Sequence, residues 1–208
     1  MAFCFWVPHM SHQLTALSPL DGRYSAKVDA LRPYVSEFAL MHHRVFVEVA
    51  WLKALGRSSL DKLPPLSESV QLDLHNLVAK FSVADAARIK EIERTTNHDV
   101  KAVEYFMKEK LKANADFGAA AEFIHFACTS EDINNQAYSV MLNAAREKVL
   151  LPALRALHEQ VRTLAHAEAD TPMLARTHGQ PATPTTLGKE AGNIATRLER
   201  AIGLIENV

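Results

Sequence analysis

The stretch F-A-L-M-H-H-R-V-F-V-E-V-A-W-L, residues 38–52, decides the class of this chain. Phe38, Met41, Val45, Val49 and Leu52 recur at three- and four-residue intervals. That puts them on one helical face and does not fit the two-residue alternation of a half-buried strand. Leu154, Leu157, Val161 and Leu164 repeat the pattern, as do Ile194, Leu198, Ile202 and Ile205 near the C-terminus. Glycine is scarce, seven in 208 residues, and no stretch alternates cleanly. The spacing predicts an all-α fold with helices near 34–55, 67–81, 83–94, 99–113, 117–127, 131–168 and 184–206. Pro64 and Pro65 separate the first two, and Ser82 is placed to cap the third. Pro152 should kink the long segment without ending it.

The helices before residue 127 are short and broken by turns, whereas those after Thr129 are long, as in a bundle. The sequence therefore divides into an N-terminal helical domain over 14–127 and the start of a central helical bundle over 128–208. Two long helices cannot close a four-helix bundle within one chain. The last amphipathic helix thus calls for a partner copy or for further chain. Residues 1–13 open on the apolar M-A-F-C-F-W-V-P, with neither the charged start nor the cleavage site of a signal peptide, and far too short to span a bilayer. They read as a tail outside the fold.

Charge and composition narrow the function. The 23 basic residues are scattered among 24 acidic ones, with no basic stripe, which argues against a nucleic-acid polymer as partner. Cys4 and Cys128 make no disulfide framework and fit a reducing, cytoplasmic setting. The histidines lack paired ligand spacing, so no metal site is expected. There is no nucleotide-cradling glycine loop and no G-x-S-x-G elbow.

Four polar turns stand out. S-P-L-D-G-R-Y (18–24) is a turn by its Pro19 and Asp21-Gly22, and its Arg23 offers a planar fork to a phosphate or carboxylate. In E-R-T-T-N-H-D-V-K-A-V-E-Y (93–105), Thr96 with Asp99 resembles a capping box, which leaves His98 without a structural account. In H-F-A-C-T-S-E-D-I-N-N (125–135), Thr129 with Asp132 repeats the capping pattern. The free N–H groups of that helix start favour an anion by about 0.3–1 kcal/mol, with Ser130 and His125 as further donors. In A-R-T-H-G-Q-P-A-T-P-T-T (175–186), Thr183 and Pro184 read as the cap and first residue of the last helix. Thr177, His178, Gly179 and Gln180 remain unexplained. Each of the first three turns, taken alone, reads more readily as a plain turn, surface residue or cap than as a site. Together they offer helix N-termini, an arginine, hydroxyls and histidines, whose unperturbed pKa of about 6.5 suits proton transfer near neutrality. That constellation fits a small polyanionic substrate, without naming a reaction.

In their order and spacing these four motifs resemble those of the adenylosuccinate lyase family, within the fumarase/aspartase superfamily, and look closest to its bacterial branch. The resemblance runs from about Leu14 to the C-terminus. It implies an all-helical fold whose long helices associate as a homotetramer, a small-molecule nucleotide substrate, and no metal or organic cofactor. It also implies β-elimination of fumarate from adenylosuccinate and from the succinyl-carboxamide ribotide of purine synthesis. Carried across, His178 matches the general acid, and His98 a second active-site histidine flanked by Asn97 and Asp99. Thr129 and Ser130 match hydroxyls that hold the succinyl part; Arg23 and Tyr24 match nucleotide-binding positions; Gln180 and His125 are weaker matches. Members of the family are more than twice as long, and their signature loop, adjacent serines before a Met-Pro-x-Lys-x-Asn run, supplies the base. No such run occurs here, so the chain reads as a fragment inactive alone. Another lyase of the superfamily and a non-catalytic helical interaction fragment are the alternative readings.

Overall fold

The computed structural model describes residues 15–58, 60 and 62–208. The expected tail over 1–13 lies outside the described residues. By its contacts the chain forms two units, one ending at Asn143 and one running Ala144–Val208. The division falls later than the 127/128 boundary read from the sequence. The first turns of the helix after Thr129 are bonded into the first unit, through Asn134 to Arg44.

In the first unit a single helical turn, Arg32–Val35, precedes α1, Glu37–Leu55. Ser36 caps α1 by accepting the Ala39 N–H, and the 38–52 stretch behaves as its spacing requires. Val45 and Leu52 are fully buried, Met41 and Val49 nearly so. Helix α2 is Glu68–Ala79, capped by Ser67. Helix α3, Val83–Thr96, starts on a full capping box in which the Ser82 hydroxyl accepts the Asp85 N–H and the Asp85 carboxylate accepts the Ser82 N–H. Helix α4 is Asp99–Leu111. Leu74, Ile89, Val103, Phe106 and Met107 meet the buried face of α1 in one core. At 117–127 the expected α-helix is replaced by a 3-10 helix, Ala115–Phe123. The helix cannot continue because His125 and Ala127 both take positive φ, a conformation no α-helix allows. Helix α5, Ser130–Ala145, follows.

The chain then passes through a π-helical stretch, Arg146–Leu150, into α6, Leu151–Ala167, with Pro152 in its first turn. Proline lacks the N–H and crowds the carbonyl four residues back, and the wider π turn directly before it accommodates both defects. Two strands follow that the sequence reading did not anticipate: β1, Pro172–Thr177, pairs antiparallel with β2, Gln180–Thr186. Pro181 and Pro184 on β2, and an irregular register between Leu174 and Arg176, destroy the alternation that would have marked a hairpin. The last helix, α7, Leu187–Glu206, is capped by Thr186, whose hydroxyl accepts the Lys189 N–H. Thr183 and Pro184 are therefore strand residues and not the start of a helix; the cap lies three residues later.

Helices α6 and α7 pack on each other, tied by Arg155 to Glu206 at 2.6 Å. At the start of α7, a Cβ at Gly188 would lie 2.5 Å from both the Ala165 carbonyl oxygen and the Ala169 Cα. Gly188→Ala is expected to lower the stability of this unit by about 1–3 kcal/mol, read by urea unfolding. A change below about 0.5 kcal/mol would show that the helices can separate without cost.

Candidate active site

The site is assembled from helix α1 outward. Arg44, Glu48 and Trp51 lie at spacings of four and three residues, so they share one helical face. Each reaches a segment that carries one of the sequence motifs. Arg44, almost fully buried, donates from Nη2 to Asp99 Oδ2 at 2.6 Å and from Nε to Asn134 Oδ1 at 2.9 Å. Glu48, fully buried, accepts the His125 N–H at 3.0 Å and the His125 Nδ1–H at 2.6 Å. Trp51 donates from Nε1 to the Phe126 carbonyl at 2.8 Å. A buried charge needs such partners, because water no longer solvates it. The sequence reading missed all three and Asn134. Their signal was polar groups repeating along an otherwise apolar helix.

Pinned this way, the N-terminal turns of α4 and α5 face one another. The cap of α4 is His98, not Thr96: its Nδ1 accepts the Lys101 N–H at 3.2 Å. Thr96 instead ends α3, and its hydroxyl donates to the His98 carbonyl. Since a backbone N–H can only donate, the neutral His98 ring carries its proton on Nε2. That nitrogen sits 3.5 Å from the Ser130 hydroxyl at the start of α5. Thr129 precedes Ser130 as expected of a cap. Its N–H and hydroxyl both donate to the Asp132 carboxylate, at 2.7 and 3.0 Å, which holds that carboxyl below its usual range. Burial pushes the Asp99 carboxyl up, but Arg44 and the Val100 N–H pull it further down, so it too sits below its ordinary value.

Among the described residues, four that are not glycine have positive φ: Asn97, His125, Ala127 and His178. All four fall in the motif turns. Backbone held in this costly region concentrates where surrounding structure over-determines it, commonly at functional sites. Asn97 ends α3 in the left-handed conformation, its N–H on the Glu93 carbonyl. His178 and Gly179 form the two-residue loop of the β1–β2 hairpin, with φ of 51° and 76°. A loop with both central residues at positive φ matches the right-handed twist of its strands. His178 therefore makes the bend itself, and its Nδ1 lies 2.9 Å from the Thr177 hydroxyl. Gln180 pairs with Thr177 across the hairpin.

Of the sequence-selected residues, the first unit brings together Asn97, His98, Asp99, Thr129 and Ser130, with His125 held on Glu48 nearby. Arg23 and Tyr24 lie in an exposed turn and contact each other, the guanidinium 5.1 Å from the ring centre. Among the described residues neither is bonded to that cluster. His178 and Gln180 belong to the second unit.

Comparison with known proteins can now be set beside this geometry. A profile of the family described as Lyase matches residues 22–208. The chain belongs to this lyase family. Its similar relatives are adenylosuccinate lyases of the fumarase/aspartase superfamily. The chain is 53% identical to that of Haemophilus influenzae over 195 residues, 93% of this chain and 43% of the relative. It is 54% identical to that of Escherichia coli K12, over 90% of this chain and 41% of the relative, and 46% identical to that of Dictyostelium discoideum. The chain thus spans about two-fifths of the length of these relatives. Among solved structures, a fumarate lyase from Mesorhizobium sp. BNC1 superposes with a TM-score of 0.70 at 21% identity, over 86% of this chain and 39% of that one. The 3-carboxy-cis,cis-muconate lactonizing enzyme of Pseudomonas putida gives 0.70 at 19%, over the same shares. These two likenesses establish the helical fold and nothing finer.

Glu48 gives a test of the anchoring. Burial pushes its carboxyl above the ordinary 4.5, with His125 pulling it part of the way back and Glu104 adding to the rise. A carboxyl raised on folding contributes stability that is complete below its unfolded value and is lost as pH rises through the folded one. Glu48→Gln carries no such charge. The difference in thermal midpoint, variant minus wild type, should therefore grow as pH rises from about 4.5 towards 7. A difference flat across that window would show that Glu48 is not an ionising buried group.

Proposed function

We propose that this chain is part of an adenylosuccinate lyase that eliminates fumarate from adenylosuccinate, and from the succinyl-carboxamide ribotide of purine synthesis. The observation that carries the reading is the convergence of His98 Nε2 and the Ser130 hydroxyl at the start of α5. It occurs in a chain more than 50% identical to enzymes of that name. The substrate carries two carboxylates and a phosphate, and donors at a helix N-terminus are what such anions require. His98, Thr129 and Ser130 hold the succinyl part, with Asn97 and Asp99 framing the turn and His125 beside it. Arg23 and Tyr24 hold the nucleotide, and Gln180 lies next to the acid.

In the reaction a base removes the Cβ proton of the succinyl group and the C–N bond breaks. The departing nitrogen takes a proton from His178, giving fumarate and AMP or its ribotide counterpart. The base is supplied by chain of a kind not found in these 208 residues, and no cofactor is needed. The enzyme works in the cytoplasm as a homotetramer. Supporting the assembly, Leu150, Leu157 and Leu164 repeat every seven residues and each stays nearly half exposed, while Ile194 on α7 is just over half exposed. A stripe of this kind is suited to helix–helix packing.

Three measurements test this. The 208-residue chain alone should release no fumarate, and turnover by it would overturn the assignment of the base. A chimera in which residues 22–208 replace the matching stretch of the Haemophilus influenzae enzyme should turn adenylosuccinate over; a folded but silent chimera would sink the reading. Within that chimera, His178→Asn keeps a residue that tolerates the left-handed turn and removes the acid. A fall in kcat of about 10²–10⁴-fold with little change in KM is expected; near-normal kcat would take the acid role from His178.

A further inference from the structure

Among the described residues, Arg44 is bonded to both helix starts that carry the His98–Ser130 pair. Its Asp99 partner directly follows His98, and its Asn134 partner lies one helical turn beyond Ser130, on the same face of α5. The Arg44 side chain is 7% exposed and its bond to Asn134 is buried, while the Asp99 side chain is 47% exposed. Asn134 is buried as well, and its amide donates onward to Glu131 at 2.8 Å. Asp99 is bonded through both oxygens, Oδ2 to Arg44 and Oδ1 accepting the Val100 N–H at 2.9 Å. Its carboxylate thus ties the first turn of α4 to Arg44.

We propose that Arg44 is a positioning residue, a fixed bracket that sets the separation of His98 Nε2 and the Ser130 hydroxyl. This rests on the reading of those two groups as substrate-holding. The bracket depends on the shape of the guanidinium as much as on its charge. Two nitrogens of one rigid plane reach two helices, whereas a lysine ammonium ends in a single point and reaches one. A fork of this kind fixes distance and angle together. His98 is already fixed from its other side by the Lys101 N–H, so the remaining freedom of the pair is the approach of α4 to α5, which Arg44 spans. The 3.5 Å gap is long for a direct bond and leaves the two groups free to share a carboxylate oxygen of a ligand, tightening when it binds.

The test uses Arg44→Lys, which keeps the charge and loses the fork. In the 208-residue chain, nuclear Overhauser contacts between the His98 ring and the Ser130 β-protons are expected in the wild type and lost in Arg44→Lys. The rest of the spectrum should stay dispersed. Persistence of those contacts in a folded variant would overturn the proposal. In the Haemophilus chimera, Arg44→Lys should lower kcat about 10²-fold, the scale for a misplacement of about 1 Å, and leave KM little changed. Asp99→Asn should give a similar loss, and the double variant should lose no more than the worse single, since both break one bracket. Unchanged kcat, or losses that simply multiply, would overturn it. Should Arg44→Lys fail to fold, Asn134→Ala removes one arm only, with about a tenfold loss expected and unchanged kcat counting against the proposal. A wild-type chimera without turnover would sink the functional reading alone, leaving the spectroscopic contacts to decide on Arg44.

Discussion

Everything near the candidate site hangs on the polar face of α1. Arg44, Glu48 and Trp51 project from a helix whose other face fills the core with Met41, Val45, Val49 and Leu52. A buried guanidinium and a buried carboxylate are tolerated only when bonded, and removing one partner of such a group commonly costs about 3–5 kcal/mol. The chain therefore has little choice about where the 125–129 turn and the starts of α4 and α5 go. Glu104, a second buried carboxylate facing Glu48, is answered separately by Lys101 and Lys108. Hydrophobic burial holds the first unit together; these few polar bonds decide its detailed geometry.

A second constraint is that several residues have both a structural and a chemical task. His98 caps α4 with one ring nitrogen and offers the other to Ser130. Thr129 gives its N–H and hydroxyl to Asp132 at the same helix start where Ser130 meets His98. His125 holds a left-handed backbone while Glu48 accepts both its N–H and its ring proton. Such double use explains why polar turns in a helical protein look crowded. A plain turn favours glycine or asparagine at left-handed positions, whereas here two of them, His125 and His178, carry imidazole.

The helices were readable because their apolar spacing is strong, and their starts because serine caps leave a local signature at Ser82 and, with threonine, at Thr129. What escaped sequence reasoning was decided by distant partners. The 3-10 stretch over Ala115–Phe123 looks helical from its alanines, yet the following turn is drawn to α1 by bonds across more than 70 residues. The β1–β2 hairpin hides behind two prolines and a broken register. The polar motifs were visible as a set, and His98, Asn97, Asp99, Thr129 and Ser130 do gather. The residues that gather them, Arg44 and Asn134, lie inside stretches read for other reasons, the apolar spacing of 38–52 and the helix start of 125–135, and their own part became legible only once two helix ends were seen to meet.

The hairpin loop also bears on how sequence variation at its tip should be read. His178 occupies a backbone position that, among residues with side chains, asparagine, aspartate and histidine fill most readily. Selection for the bend alone would already keep that position to a short alphabet. Among diverging copies of this fold, persistence of a residue from that alphabet reports the turn. Only a preference for histidine over asparagine, which the backbone accepts about equally, would report the chemistry.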